Sequence, residues 1–339
     1  MSQIVDASPG QPTELDGGGR AARVAARLPI ARLRDFALVP AILVLLVVGA
    51  FVDKSFLTST NLLNILQQQT ELGLVVLAEA LILVAGRFDL SLESTVGLAP
   101  ALGLLAVTAW HVPAALAVPV CLAAGVVIGA FNGLLIVKFR LSAFVLTLGM
   151  LITLRGLQLG LTGGKSLFTI PASFTYLGGV SWFGVPASVW LCALAFAGGI
   201  VALGYLRQGR SLYAIGGNVD AARAAGIRVD RVVLAVYVIG GLLAALAGLL
   251  FAGRLGSVSA SQGSGMIFEV FAAAVIGGVS LEGGKGTVFG ALTGVLVLGL
   301  IKNILLLAGV PAQWNQAING TVIMLALVLA RLTSGKGQD

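Results

Sequence analysis

Hydrophobic blocks long enough to cross a bilayer follow one another along most of this chain. They fall at about 36–52, 62–86, 89–110, 113–137, 142–162, 187–206, 231–253, 267–281, 286–307 and 313–330. A bilayer core takes roughly 20 apolar residues as a helix. Lipid offers no partner to an unpaired backbone group, so successive blocks of this kind fold as packed helices. The sequence therefore predicts an all-α integral membrane protein with about ten transmembrane helices. Composition agrees, with 58% hydrophobic and 10% charged residues, where soluble domains carry about 25% charged.

Two blocks are weak. The one at 267–281 is short, and 62–86 opens with Gln67, Gln68, Gln69, Thr70 and Glu71. Such segments belong where a helix lines a cavity or is broken within the membrane.

The basic residues predict orientation. With the N-terminus in the cytoplasm, sixteen of the 21 Lys and Arg fall on cytoplasmic segments. Lys54, Lys165 and Arg254 fall outside, and Arg155 and Lys302 lie within spans. Cytoplasmic loops carry such an excess, so both termini are expected inside. Residues 1–35 hold Gly17-Gly18-Gly19 and five arginines but no short apolar core with a small-residue cleavage site. They read as a flexible cytoplasmic tail, not a cleaved signal. Residues 36–331 form the transmembrane domain and 332–339 a second cytoplasmic tail. The net charge of +7 is then a matter of topology. No basic patch interleaves with aromatic residues, so the expected surroundings are lipid and not nucleic acid.

The joint at 207–231, between the sixth and seventh blocks, is unusual. Five arginines (Arg207, Arg210, Arg223, Arg228, Arg231) face two acids, Asp220 and Asp230. A miniature helix is written inside it. Asn218 suits the N-cap, Asp220 the first turn, the alanines 221, 222, 224 and 225 the body, and Gly226 the stop. About seven residues make a helix of roughly 10 Å, too short to stand alone in water. Something must hold it, and its alanine surface admits a close partner.

Small residues recur every fourth position at Gly125, Gly129 and Gly133, at Gly156, Gly160 and Gly164, at Ala244, Gly248 and Ala252, and at Gly286, Gly290 and Gly294. Each series gives one helix face a flat strip where another backbone can approach. Most are expected to pack within the chain, and one or two suit a seam between copies. The stretches 80–97 and 273–290 are loosely similar, each running from an apolar segment through a Gly-containing polar turn into a small-residue helix.

No enzyme constellation is visible. His111, the single histidine, sits at a span end beside Trp110 and has no partners for a triad or a metal cluster. Cys121 and Cys192 lie in apolar runs and read as buried thiols. The runs 160–166 and 278–285 imitate a phosphate loop but have the wrong glycine spacing. The chain is expected to hold no metal or cofactor and to hydrolyse no ATP itself.

Polar groups within spans are more informative. A charge near mid-bilayer costs about 2.5–3.5 kcal/mol on insertion scales, and is tolerated facing a water-filled path or a partner. Glu71, Glu79, Asn132, Arg155, Gln158, Lys302 and Asn303 form the candidate translocation path, with Glu269 at the outer end of the eighth block. Pairs such as Glu79 with Arg155 or Lys302 would alternatively tie helices together.

Four ordered blocks carry a family likeness: GRFDLSLEST (86–95), FVLTLGMLITLRGLQLGLTGG (144–164), AIGGNVDAARAAGIRVDRV (214–232) and AVIGGVSLEGGKGTVFGALTG (274–294). With them the chain resembles the permease subunit of ATP-binding cassette importers of the ribose/xylose/galactoside type, over roughly 36–331. Arg87, Phe88 and Glu93 depart from the small residues usual in the first block. The resemblance marks Asp89 and Ser91 as a family-like turn. It implies that Gly217, Asn218, Ala221, Ala222, Arg223 and Gly226 belong to a coupling helix seated on an ATPase. It further implies two cytoplasmic ATP-binding subunits that bind the ATP, a periplasmic sugar-binding protein, a second permease copy or paralogue, and a bacterial inner membrane.

Two other readings stand beside it. A branched-chain amino acid or nucleoside permease of the same superfamily would share most of these blocks. An ion-coupled secondary transporter would need acid sites at broken helices, for which Glu71 and Glu79 are the candidates.

Overall fold

The computed structural model describes residues 38–311 apart from 169, together with 314, 317, 318, 320, 321 and 324. The expected tails at 1–35 and 332–339, and most of the block at 313–330, lie outside the described residues.

The described chain is mostly helical. In order it forms α1 (Val39–Val52), α2 (Ser59–Val84), α3 (Leu92–Thr108), α4 (Ala117–Phe139), α5 (Ala143–Thr162) and α6 (Ala172–Gly179). A two-stranded hairpin follows, β1 (Ser181–Trp182) with β2 (Val185–Pro186), then α7 (Ala187–Gly204), α8 (Arg207–Gly217) and α9 (Val219–Ala224). The series ends with α10 (Val229–Leu255), α11 (Met266–Ile276) and α12 (Val288–Leu307). Five helices are long and apolar enough to cross a membrane: α4 with the 3₁₀ turn before it, α5, α7, α10 and α12. Helices α1, α3 and α11 are apolar but shorter. The glutamines and glutamates of α2 keep that helix out of the apolar set despite its 26 residues.

Helix α10 is the central post, packed on α2, α3, α4 and α6. Its contact with α4 follows from glycine. A Cβ at Gly125 would strike Gly241 O, and one at Gly129 would strike Tyr237 O, so the two helices touch backbone to backbone. Gly290 and Gly294 of α12 meet Gly277 and Ala273 in the same way. The third series differs, because a Cβ at Gly156, Gly160 or Gly164 would meet open space. That face of α5 has no neighbour among the described residues.

Two boundaries depart from expectation. The block at 267–281 ends as helix at Ile276, because Gly277, Gly278, Gly283, Gly284 and Gly286 turn the chain into a loop. The joint at 207–231 holds two helices, not one. Three glycines hide α8 in the sequence, but Leu212 and Ile215 are one turn apart and both buried, which holds it.

Candidate functional site

Three places combine polar groups with unusual backbone.

The first is a crossing of three chain segments. The end of α2, the end of α8 and the loop 280–286 meet at Gly86, Gly216, Gly283 and Gly284. Gly284 N donates to Val84 O at 3.0 Å. A Cβ at Gly216 would fall on Val84 O and Gly284 N, and one at Gly283 would lie 2.6 Å from Gly86 Cα. The Tyr213 hydroxyl of α8 adds a bond to Gly286 O at 2.7 Å. Helix α9 follows directly. Asn218 caps it, its side chain accepting from Ala221 N at 2.9 Å, and Gly226 closes it at φ +80°. Arg223 pairs with Asp220 at 4.0 Å and Asp230 at 3.5 Å. Gly217, Asn218, Ala221, Arg223 and Gly226 are exposed, whereas Ala222 is buried against its own chain. Only part of the alanine surface is therefore open to a partner.

The second is the turn 87–91, which folds back into the bundle. Asp89 accepts from Ser91 N at 3.0 Å and Ser91 Oγ at 2.6 Å. Asn132 Nδ2 donates to Ser91 Oγ at 2.8 Å, and Asp89 N donates to Glu79 Oε1 at 3.4 Å. Tyr237 of α10 donates to Phe88 O at 2.7 Å. Asp89, Ser91, Glu79 and Asn132 are all buried. Phe88 fits because its ring packs against Phe144 and Phe271, each 6.0 Å away between centroids.

The third is the loop between α10 and α11. It does not stay at the bundle end. Gln262 Nε2 donates to Gly248 O at 3.0 Å and Val96 O at 2.9 Å. Gly248 lies seven residues before the end of α10, so the loop re-enters by about 10 Å. Gly263 adopts φ +85° and lies against Glu93 O, an approach a side chain would block. Arg155 Nη1 donates to Gln262 O at 3.0 Å and Gln158 Oε1 at 3.3 Å. Gln158 Nε2 donates to Ser259 O at 3.1 Å. Glu93 lies in the first turn of α3, faces Arg155 at 3.7 Å, and accepts from Ile267 N at 3.1 Å. One carboxylate thus serves the positive N-terminal ends of two helices. Helix α11, at 11 residues, is about 16 Å long and begins inside the bundle. A cavity of about 560 Å³ adjoins the loop, lined by Ser259, Ser261, Gln262, Ser264, Phe251 and Phe268 among others.

The remaining predicted polar residues are separate from these. Glu71 pairs with Arg254 at 2.8 Å, and Asn303 exchanges amide bonds with Asn61 at 3.0 Å. Lys302 pairs with Glu269 at 2.5 Å. The pairing of Glu79 with Arg155 or Lys302 does not occur, because both cations are taken by nearer carboxylates. Arg155 and Gln158 come together at the third place, Glu79 and Asn132 at the second. The serines and Gln262 were not singled out in the sequence. Their signal was a Gly/Ser run, 256–265, ahead of an undersized apolar block.

Comparison with known proteins matches these elements to a family. Residues 61–327 match the family described as branched-chain amino acid transport system / permease component. The chain is 37% identical to the ribose import permease protein of Escherichia coli (strain K12) over 293 residues, 85% of this chain and 91% of that relative. It is 34% identical to the autoinducer 2 import system permease protein of Escherichia coli O9:H4 (strain HS), over 87% of this chain and 86% of that relative. No solved structure matches. With a family match across most of its length and relatives aligned nearly end to end, the chain belongs to this family of multi-pass membrane transport permeases.

Proposed function

We propose that this chain is the membrane-spanning subunit of an ATP-binding cassette importer that carries a monosaccharide, with ten spans and both termini in the cytoplasm. The observation that carries the proposal is the likeness to a ribose import permease over 85% of the chain. The described geometry suits it. Uncharged polar groups gather where helices break inside the bundle, as expected of a transport path. Arg155, Arg254 and Lys302 are each paired with a carboxylate, so these cations tie helices together and do not stand free in the path.

In this reading the chain sits in a bacterial inner membrane and carries no catalytic residue or cofactor. ATP is bound by two cytoplasmic partner subunits, a periplasmic binding protein delivers the sugar, and a second permease copy or paralogue completes the path. Helix α9 with Gly217 and Gly226 is the coupling helix. Its contact surface is Ala221, Arg223 and Ala224, since Ala222 faces inward. Arg155 and Gln158 belong to the path through their contact with the re-entrant loop. Glu79 and Asn132 support it from the buried turn, and Glu71, Lys302 and Asn303 mainly join helices.

The test is uptake of labelled D-ribose by proteoliposomes holding the permease with its ATP-binding subunits and binding protein. ATP-dependent uptake is expected. Uptake that persists without the ATP-binding subunits, driven by an ion gradient, would overturn the proposal. The family description favours one second reading, transport of a branched-chain amino acid. Leucine accepted and ribose refused in the same assay would establish it. For the coupling role, Ala224→Asp on the exposed face of α9 is expected to abolish stimulation of the ATPase by loaded binding protein while the protein still inserts.

A further inference from the structure

We propose that the re-entrant loop 256–265 forms a sugar-holding subsite in an open cavity on the face of each protomer, selective for an uncharged, polyhydroxylated molecule. This rests on the monosaccharide reading above and assigns it a place.

The loop's position needs explaining first. Irregular backbone inside a membrane bundle is tolerated where it is buried in protein or lines a water-filled cavity. Here it does both. Gln262 Nε2 is spent on Gly248 O and Val96 O, and Arg155 and Gln158 hold the loop's carbonyls at residues 262 and 259. Two of the loop's carbonyls are thereby held by side chains of α5. The free capacity that remains points elsewhere.

That capacity is neutral. Ser259, Ser261 and Ser264 line the cavity with hydroxyls that both donate and accept. Gln262 also lines it, is 2% exposed, and has a buried Oε1 without a hydrogen-bond partner. Phe268 supplies an exposed flat apolar face suited to the C–H face of a sugar ring, while Arg254 lies over the ring of Phe251 at 5.3 Å. Among the described lining residues the charged one, Glu269, is paired with Lys302. Glu93, at the root of the loop, is taken by Arg155 and Ile267 N. An ammonium or carboxylate entering the cavity would meet no unpaired counter-charge among its described lining residues. A sugar would meet serine hydroxyls and the exposed ring of Phe268. The volume, about 560 Å³, falls in the range of small-molecule sites, roughly 300–1,000 Å³.

The experiment uses the assembled transporter with saturating ribose-loaded binding protein. Ser264→Ala and Ser261→Ala are expected to lower the ribose uptake rate about two- to tenfold, the size of one lost hydrogen bond. Ser264→Phe, which fills the cavity, is expected to reduce uptake to background. Assembly with the ATP-binding subunits serves as the check on folding. A positional readout is independent of rate: Ser264→Cys is expected to react with a small thiol reagent and to be protected during ribose turnover. Unchanged uptake in Ser264→Phe, or labelling of Ser264→Cys that ribose turnover leaves unaltered, would overturn the subsite. These failures are distinct from failure of the monosaccharide reading, which would appear as no ribose uptake by the unmodified transporter.

Discussion

The crossing at Gly86, Gly216 and Gly283 and the loop at 256–265 are both non-helical joints, yet they are held by opposite means. At the crossing, three backbones touch directly, and the Tyr213 hydroxyl adds one bond to Gly286 O. At the loop, Gln262, Arg155, Gln158 and Glu93 do the holding through side chains. Backbone packed on backbone has one arrangement, since interiors transmit strain and do not deform smoothly. A joint held by side-chain hydrogen bonds can exchange partners, each bond contributing about 1 kcal/mol net. The stiff joint sits beside helix α9, where a push from a partner would arrive in our reading. The exchangeable joint sits beside the cavity, where a substrate would need to come and go.

The comparison can be sharpened by substitution, and the largest effect is expected at a buried ion pair outside both joints, which sets the scale for a side-chain contact. Arg254→Met leaves Glu71, 3% exposed, as a buried charge without its partner. A loss of about 3–5 kcal/mol is expected, read as a lowered unfolding midpoint in detergent. The double variant Glu71→Met with Arg254→Met is expected to recover much of it. Next comes the crossing. Gly216→Ala forces a Cβ onto Val84 O and is expected to cost about 1–3 kcal/mol. Gly217→Ala, one residue on and facing open space, is expected to be nearly silent. Equal effects at the two glycines would show that the crossing is not a backbone contact.

Smaller still is the cap. Asn218→Ala removes the side-chain acceptor for Ala221 N and is expected to cost about 1 kcal/mol. Faster amide exchange over 219–226 would report it. Smallest is Arg223→Gln, which breaks pairs with Asp220 and Asp230 that are largely open to water. Exposed pairs contribute about 0–1 kcal/mol, so stability should stay within error. A large drop would mean that Arg223 holds the joint, and the contrast with the backbone crossing would weaken.

Local features were legible before the structure. Asn218 and Gly226 marked the ends of the short helix correctly, because capping and positive φ are properties of single residues and their neighbours. The glycine series on α4 and α12 also marked real contacts. Partnership was not legible. Glu79 looked like a partner for Arg155, but Glu93 is the carboxylate that α3 brings there. Ala222 looked like partner-facing surface, but the fold turns it inward. Gly156 looked like another packing position, but its face meets no neighbour among the described residues.

By itself, then, the sequence determined that this chain is a bundle of apolar helices with weak segments at 62–86 and 267–281 and a capped short helix at 218–226, since hydropathy, propensity and capping act within a few residues. It also determined the family, through four blocks that keep their order. Only the tertiary structure decided which carboxylate meets which cation, and that the run at 256–265 folds back into the bundle to reach Val96 and Gly248. Those outcomes depend on how helices distant in sequence are set against one another, and no local pattern encodes the 166 residues that separate Gln262 from Val96.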